Sequence, residues 1–302
     1  MQHNLNKNST ITNSVGEAMK RNSQFDEYLK QCGKSINTIR GYLFDLNQYL
    51  KWFEDSFGQE CTALYRQNVL DYVSYLKNIK MNNAKTINHK LSSLRSYNEF
   101  LIHTNVQDEM VIYKSDMIKI QTEYASPTKV TEIEVKQFLQ RVLESKNKRN
   151  YAIVSLLAYT GMRISEALSI RLNDFNLQTA ECIIKSGKGE KQRTVLLNTK
   201  IINAMREYLK ERARYTRAAE STYLFVSKKN ESLDRTVVNR VFKKFSQKIT
   251  PHQLRHFFCT NAIEKGLSIH EVANQAGHSN INTTLLYTNP DKAKLKLKME
   301  LL

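Results

Sequence analysis

The chain has 302 residues, 41% of them hydrophobic and 25% charged, with 9 Gly and 3 Pro. That composition excludes a disulfide-stapled miniprotein, a fibrous repeat and a disordered polymer, and leaves room for two domains with cores of their own. Lys and Arg number 46 against 29 Asp and Glu, a net charge of +17, so a polyanionic partner is expected, either nucleic acid or an anionic membrane surface.

The charge is one-sided. Residues 1–125 hold 15 basic and 13 acidic side chains, net +2, whereas residues 126–302 hold 31 and 16, net +15. Met1 to about Val15 is polar and reads as a disordered start. A short helix then carries Phe25, Tyr28 and Leu29. From Ser35 to Ser56, Ile39, Tyr42, Leu43, Leu46, Tyr49, Leu50 and Phe53 recur at helical spacing on one face, with Ser35 as N-cap and Gly58 as stop. Gln67 to Ile79 repeats the pattern with Val69, Tyr72, Val73 and Leu76, and Ala84 to His103 with Ile87, Leu91, Leu94 and Leu101. Four short-looped helices over residues 16–122 predict a bundle. Opposite its core stand Lys34, Thr38, Arg40, Lys85, Asn88, Lys90 and Arg95, residue types that meet phosphates and base edges when a helix lies in a DNA groove.

The helical pattern breaks at Ala125-Ser126-Pro127, so residues 123–130 are expected to be a linker. Thr131 with Glu134 then forms a capping box that opens a second domain, residues 131–302. An apolar helix from Tyr151 to Tyr159 stops at Gly161, and a new helix begins near Ser165. Two strand-like runs follow, Glu181–Lys185 and Arg193–Leu197, joined through Gly187-Lys188-Gly189-Glu190-Lys191. The rest is mostly helical. The predicted fold class is mainly α: a four-helix domain, then a mainly α domain with a small antiparallel sheet. The four cysteines form no C-x-x-C pair and no run of about 18 apolar residues exists, so a reducing, cytoplasmic setting without membrane spans or a secretory signal is expected.

Several positions suit an anion. In Thr250-Pro251-His252-Gln253-Leu254-Arg255-His256, Thr250 is the N-cap, Pro251 the first helical residue and Gln253 the closing residue of a capping box, so His252 sits in the first turn with Arg255 on the same face. His252 and His256 have zinc-like spacing, but Gln253 stands where H-E-x-x-H needs its general base, which disfavours a metalloprotease. Arg163 lies at the mouth of a helix start. A Ser268/Glu271 capping box opens a further helix that stops at Gly277, placing His278 just past it, and Tyr287 follows nine residues later. Arg240 and Lys243 are further basic candidates for DNA contact.

In order, Arg163, Lys188, His252, Arg255, His278 and Tyr287 resemble the active-site set of the tyrosine recombinase (phage integrase) family, which includes the Xer and Cre enzymes. The resemblance covers nearly the whole chain and is carried by T-G-M-R-I-S-E-A-L at 160–168, G-K-G-E-K-Q-R at 187–193, H-Q-L-R-H at 252–256, and G-H-S followed by L-L-Y-T at 277–288. It implies a core-binding SAM-like domain and a catalytic domain that cleaves and rejoins DNA at defined sites through a 3′-phosphotyrosyl link at Tyr287.

Two guanidiniums, Arg163 and Arg255, would offset the charge gathering on the phosphate without a metal. A phenol with pKa near 10 needs help to ionise, and His252 is the candidate base. The resemblance gives protonation of the leaving 5′ hydroxyl to Lys188, with Lys191 competing, and a hydrogen bond to a non-bridging oxygen to His278. No ATP, metal or cofactor is implied. Residues 291–302 alternate Lys with apolar side chains; the resemblance implies that this tail docks on a neighbouring protomer in a homotetrameric synapse on double-stranded DNA with paired recognition sites. Resolution or integration of mobile-element or replicon DNA is the expected role. A non-catalytic DNA-binding protein and a type IB topoisomerase are the alternatives, the first opposed by the intact Arg163, Arg255 and Tyr287, the second by the helical N-terminal half.

Overall fold

The computed structural model describes residues 21–120, 130–185, 192–227, 230–278, 280–285 and 299–300. The chain divides into two compact units, Met1–Gln121 and Thr122–Leu302. Both are mainly helical, and the second carries a small antiparallel sheet.

In the first unit, residues 21–31 are helical (α1), followed by α2 (Ile36–Phe57), α3 (Arg66–Asn78) and α4 (Ala84–His103). Each starts or stops where side-chain chemistry satisfies the free ends of the helix. Ser35 Oγ accepts the Thr38 N–H, and Gly58, at φ +66°, donates its N–H back to Glu54. The expected stripe is the core: Ile39, Leu46, Tyr49 and Phe53 of α2 meet Val69, Tyr72 and Leu76 of α3 and Ile87, Leu91, Leu94 and Leu101 of α4. Phe25 closes one end with its ring edge-on to Tyr97, centroids 5.1 Å apart.

Two residues expected on the polar face are bound to the protein instead, Lys90 buried and Asn88 half-buried. Lys90 is buried, its ammonium 3.0 Å from the equally buried Asp45, which also accepts from Ser93 Oγ at 2.8 Å and lies 2.7 Å from His89 Nδ1. Asn88 gives its whole amide to the backbone of Ile118, donating to the carbonyl and accepting from the N–H at 2.8 Å each. Helical spacing places both beside the apolar stripe, where a long or forked polar side chain reaches inward once a partner waits there.

The second unit is arranged around α6 (Lys148–Thr160), whose buried run Ala152–Ala158 packs against α5 (Glu132–Glu144), α8 (Thr199–Arg212) and α10 (Pro251–Glu264). Helix α7 (Ile164–Ser169) follows α6 directly. The strands β1 (Phe175–Asn176), β2 (Glu181–Ile184) and β3 (Arg193–Leu196) form one antiparallel sheet in the order β1-β2-β3, with Cys182 opposite Val195 and Ile184 opposite Arg193. Cys182, Ile184 and Val195 point into the core. The two-residue β1 is too short to show alternation in the sequence. Helix α9 (Arg235–Phe245) packs on α5 and α7, α11 (Ile269–Ala276) on β3 and α10, and α12 (Asn282–Leu285) on α11. The hairpin tip at 187–191 and nearly all of the tail at 291–302 lie outside the described residues.

Removing Asp45 leaves the Lys90 ammonium in the first unit's interior without its counter-charge, with only the neutral Gln48 Oε1 still accepting from it. Asp45→Ala is expected to lower unfolding free energy by about 3–5 kcal/mol in urea titration, and adding Lys90→Met to recover most of it, because a buried pair replaced by apolar packing costs little.

Candidate active site

Arg163, His252, Arg255 and His278 line a single cleft of about 1110 Å³ within the second unit. Lys188, Lys191 and Tyr287 lie outside the described residues. What draws the cleft together is the end of α11. Gly277 terminates that helix at φ +73°, its N–H and that of His278 both returning to the Ala273 carbonyl. The carbonyls of Ala276 and Gly277 are thereby left pointing outward, and three arginines from three other elements meet them.

Arg255, on α10 and only 6% exposed, donates from Nη1 to the Ala276 carbonyl and, at 2.8 Å, to the Gly161 carbonyl at the end of α6. Arg163 donates to the Gly277 carbonyl at 2.8 Å, and Arg193 to that of Ala276 at 3.3 Å. Cations are favoured there because the negative end of the helix dipole adds to the unpaired carbonyls. Gly161 is fixed by the same packing: it sits at φ +65°, and a Cβ would come within 2.3 Å of the Phe258 ring.

Arg163 is the N-cap of α7, but that helix end is already filled. Glu166 Oε2 accepts the Arg163 N–H at 2.8 Å and Oε1 its guanidinium at 3.1 Å. The helix start that the sequence pointed to is therefore occupied by the chain's own carboxylate. The same carboxylate takes a two-pronged bond from Arg193, 3.1 Å at Oε1 and 2.9 Å at Oε2. Burial pushes the Glu166 carboxyl up, but the hydrogen bonds from Arg193 and Arg163 outweigh it and hold it below the usual carboxylate range.

Thr250 Oγ1 caps α10 by accepting the Gln253 N–H at 3.2 Å, with Pro251 at the first position. His252, in the first turn and exposed, has its Nε2 2.7 Å from Nε2 of His256, the rings edge to face. Burial, then His252 and Arg255, push His256 down to about 4. Burial, then Arg255 and Arg163, do the same to His278, also to about 4. His278 Nδ1 lies 2.7 Å from the hydroxyl of the fully buried Thr284 on α12.

The phage integrase family model matches residues 128–294, and that of the phage integrase N-terminal SAM-like domain matches residues 23–105. The chain belongs to the phage integrase family. This makes it a tyrosine recombinase of the Xer type, an enzyme of DNA strand cleavage and rejoining. A Bacillus thuringiensis protein named TnP I resolvase is 68% identical over 279 residues, covering 92% of this chain and 98% of its own. A Thermococcus kodakarensis protein named tyrosine recombinase XerA is 30% identical over 284 residues, covering 92% and 93%. Among solved structures, the XerH site-specific recombinase bound to palindromic difH substrate in a post-cleavage complex shares the fold, with a TM-score of 0.70, 22% identity, and 95% of this chain and 88% of that one covered.

In this integrase-family cleft, Arg240 and Lys243 of α9 also line the cavity, joined by Arg235 and Asn239, which sequence reading missed. Glu166, Arg193 and Thr284 were missed as well. Glu166 stands three residues after Arg163, where a capping box would end, but an arginine is not a recognised cap. In the first unit Lys34, Arg40 and Lys85 are exposed, Thr38 bonds Ser35 within its helix cap at 2.8 Å, and Arg95 is half-buried with Glu99 at 3.4 Å.

Two histidines held neutral make stability depend on pH with a definite sign. Their folded pKa of about 4 lies below the unfolded value near 6.5, so the unfolded chain binds more protons in between. The stabilisation is complete above 6.5 and is lost as pH falls toward 4. Urea midpoints should drop from pH 7 to pH 5, where most carboxylates stay ionised, and His278→Gln should flatten that slope.

Proposed function

We propose that this recombinase resolves or integrates DNA of a mobile element or replicon, cutting one strand at a time through a 3′-phosphotyrosyl intermediate on Tyr287. The observation that carries the reading is the convergence of Arg163, Arg255, His252 and His278 on one cleft walled by the basic α9. The mobile-element role is supported by the 68% identity to a protein named a resolvase, and double-stranded DNA as partner by the kinship with recombinases.

In the proposed reaction the scissile phosphate enters this cleft and its non-bridging oxygens face Arg163 and Arg255, whose forks offset charge as the pentacoordinate phosphorus forms. The Tyr287 hydroxyl attacks phosphorus and its proton passes to His252. The bond to the 5′ oxygen breaks, and that oxygen takes a proton from Lys188 or Lys191. His278 donates to a non-bridging oxygen. Its neutral ring keeps one N–H for the purpose, and the hydroxyl of Thr284 steadies the other nitrogen. Tyr287 is three residues along the chain from Thr284, a separation that spans at most about 11 Å, which supports its arrival at the same cleft. The phosphotyrosyl bond conserves the energy of the phosphodiester, so a 5′ hydroxyl from a second strand reverses the step. In the proposed synapse four protomers act on two DNA sites, each tail from residue 291 onward docking on its neighbour.

A pool of nicked duplexes with randomised sequence, incubated with the protein in EDTA, should yield detergent-resistant adducts that Tyr287→Phe abolishes; sequencing the captured DNA gives the site. Adducts that persist in Tyr287→Phe, or none with the parent protein, would refute the reading. Arg163→Ala is expected to slow capture by a factor of roughly a hundred to a thousand. Deleting residues 291–302 should leave gel-shift binding of the captured duplex intact while recombination between two such sites is lost; undiminished recombination would rule out the docking tail.

A further inference from the structure

We propose that Arg193 is a positioning residue of strand cleavage: it divides the charge of Glu166 so that the Arg163 guanidinium remains available to the phosphate. The proposal rests on the reading that Arg163 binds the scissile phosphate. Arg193 opens β3, opposite Ile184, and its side chain leaves the sheet for α7 and α11.

Both Nη atoms are committed to the protein, Nη1 to Glu166 Oε1 and Nη2 to Glu166 Oε2 and the Ala276 carbonyl, and the side chain is only 19% exposed. No fork is left for DNA, so any effect of Arg193 on the reaction passes through what it holds. What it holds is a carboxylate that also takes the N–H and the guanidinium of Arg163.

With Arg193 in place, one negative charge is shared between two cations, and the electrostatic demand of Glu166 on Arg163 is partial. Without it, the same half-buried carboxylate has Arg163 as its main cation, and the pair competes with the phosphate for that guanidinium. The guanidinium of Arg193 also lies against Gly277, where a Cβ would come within 2.3 Å of Cζ. It thus fixes the turn that presents His278 and the carbonyl bound by Arg163. Lysine at 193 keeps the charge but cannot form the two-pronged bond and reach the Ala276 carbonyl together.

The probe is the nicked duplex captured by the parent protein, prepared with a natural phosphodiester or with a methylphosphonate at the cleavage position. The methylphosphonate is uncharged, so it has little need of a cation and its cleavage should not depend on how free Arg163 is. Arg193→Gln should cleave the natural linkage roughly tenfold to a hundredfold more slowly, with binding affinity within about threefold of the parent and the defect shrinking below about threefold on the methylphosphonate. Parental cleavage of the natural linkage by Arg193→Gln, or a defect of equal size on both linkages, overturns the proposal. If Arg193→Gln does not accumulate as folded protein, Arg193→Lys decides by the same comparison. Failure of the parent protein to capture DNA through Tyr287 would instead overturn the functional reading, and full cleavage of the natural linkage by Arg163→Ala the role of Arg163, so the three failures are distinct.

Discussion

Three guanidiniums converge on two successive carbonyls at the end of an eight-residue helix, and the geometry of the cleft depends on that convergence. Cations gathered before any substrate arrives repel one another, and in a partly buried site the repulsion is weakly screened. The Ala276 and Gly277 carbonyls, the negative end of α11 and the Glu166 carboxylate offset it. Because the start of α7, β3 and α10 each contribute one arginine, the same bonds that hold the guanidiniums in place hold those three elements to α11. Preorganised charge of this kind does not have to be assembled as the transition state forms.

Glycines mark the two backbone corners where this arrangement is made. At Gly161 the chain turns from α6 into α7 so closely under Phe258 that a methyl group has no room, and the turning carbonyl receives Arg255. At Gly277 the turn out of α11 presses against Arg193 and releases His278 toward the cleft. Both residues lie at positive φ, so an alanine would meet backbone strain as well as a clash. The packing of each corner and the aim of a functional side chain are therefore one constraint.

Periodicity and caps made most of the helices legible in the sequence: the Ser35 and Gly58 limits of α2, the Thr131–Glu134 box that opens α5, and the Gly161 stop are local signals within reach of a few residues. The candidate site was legible as a set of residue types in order, and four of these candidates line one cleft. What could not be read was long-range pairing. Asn88 and Lys90 looked like groove-facing polar residues because nothing local discloses that Ile118 and Asp45 lie against them. Arg193 read as an ordinary strand residue, since its bonds to Glu166 and Ala276 span 27 and 83 positions. Glu166 was hidden by proximity: it completes a helix start whose first residue is an arginine, a cap that no propensity favours.

The choice of arginine for the fixed charges has a consequence for the groups that exchange protons. A guanidinium keeps its proton under any repulsion a protein can impose, so crowding cannot discharge it. An imidazole in the same surroundings yields instead, and His256 and His278 are both held to about 4 by burial and neighbouring cations. The arginines thereby supply permanent charge, which in the proposed reaction meets the phosphate, beside rings that remain neutral at physiological pH and can donate one hydrogen bond while accepting another. In the proposed reaction the same field would act on the lysine that serves as general acid. An ammonium brought among these guanidiniums releases its proton more readily than one in water, and that change of affinity is what a general acid for an alkoxide leaving group requires. One electrostatic arrangement would thus serve both halves of the proposed displacement, holding the phosphate's charge and loosening the proton that the departing oxygen takes up.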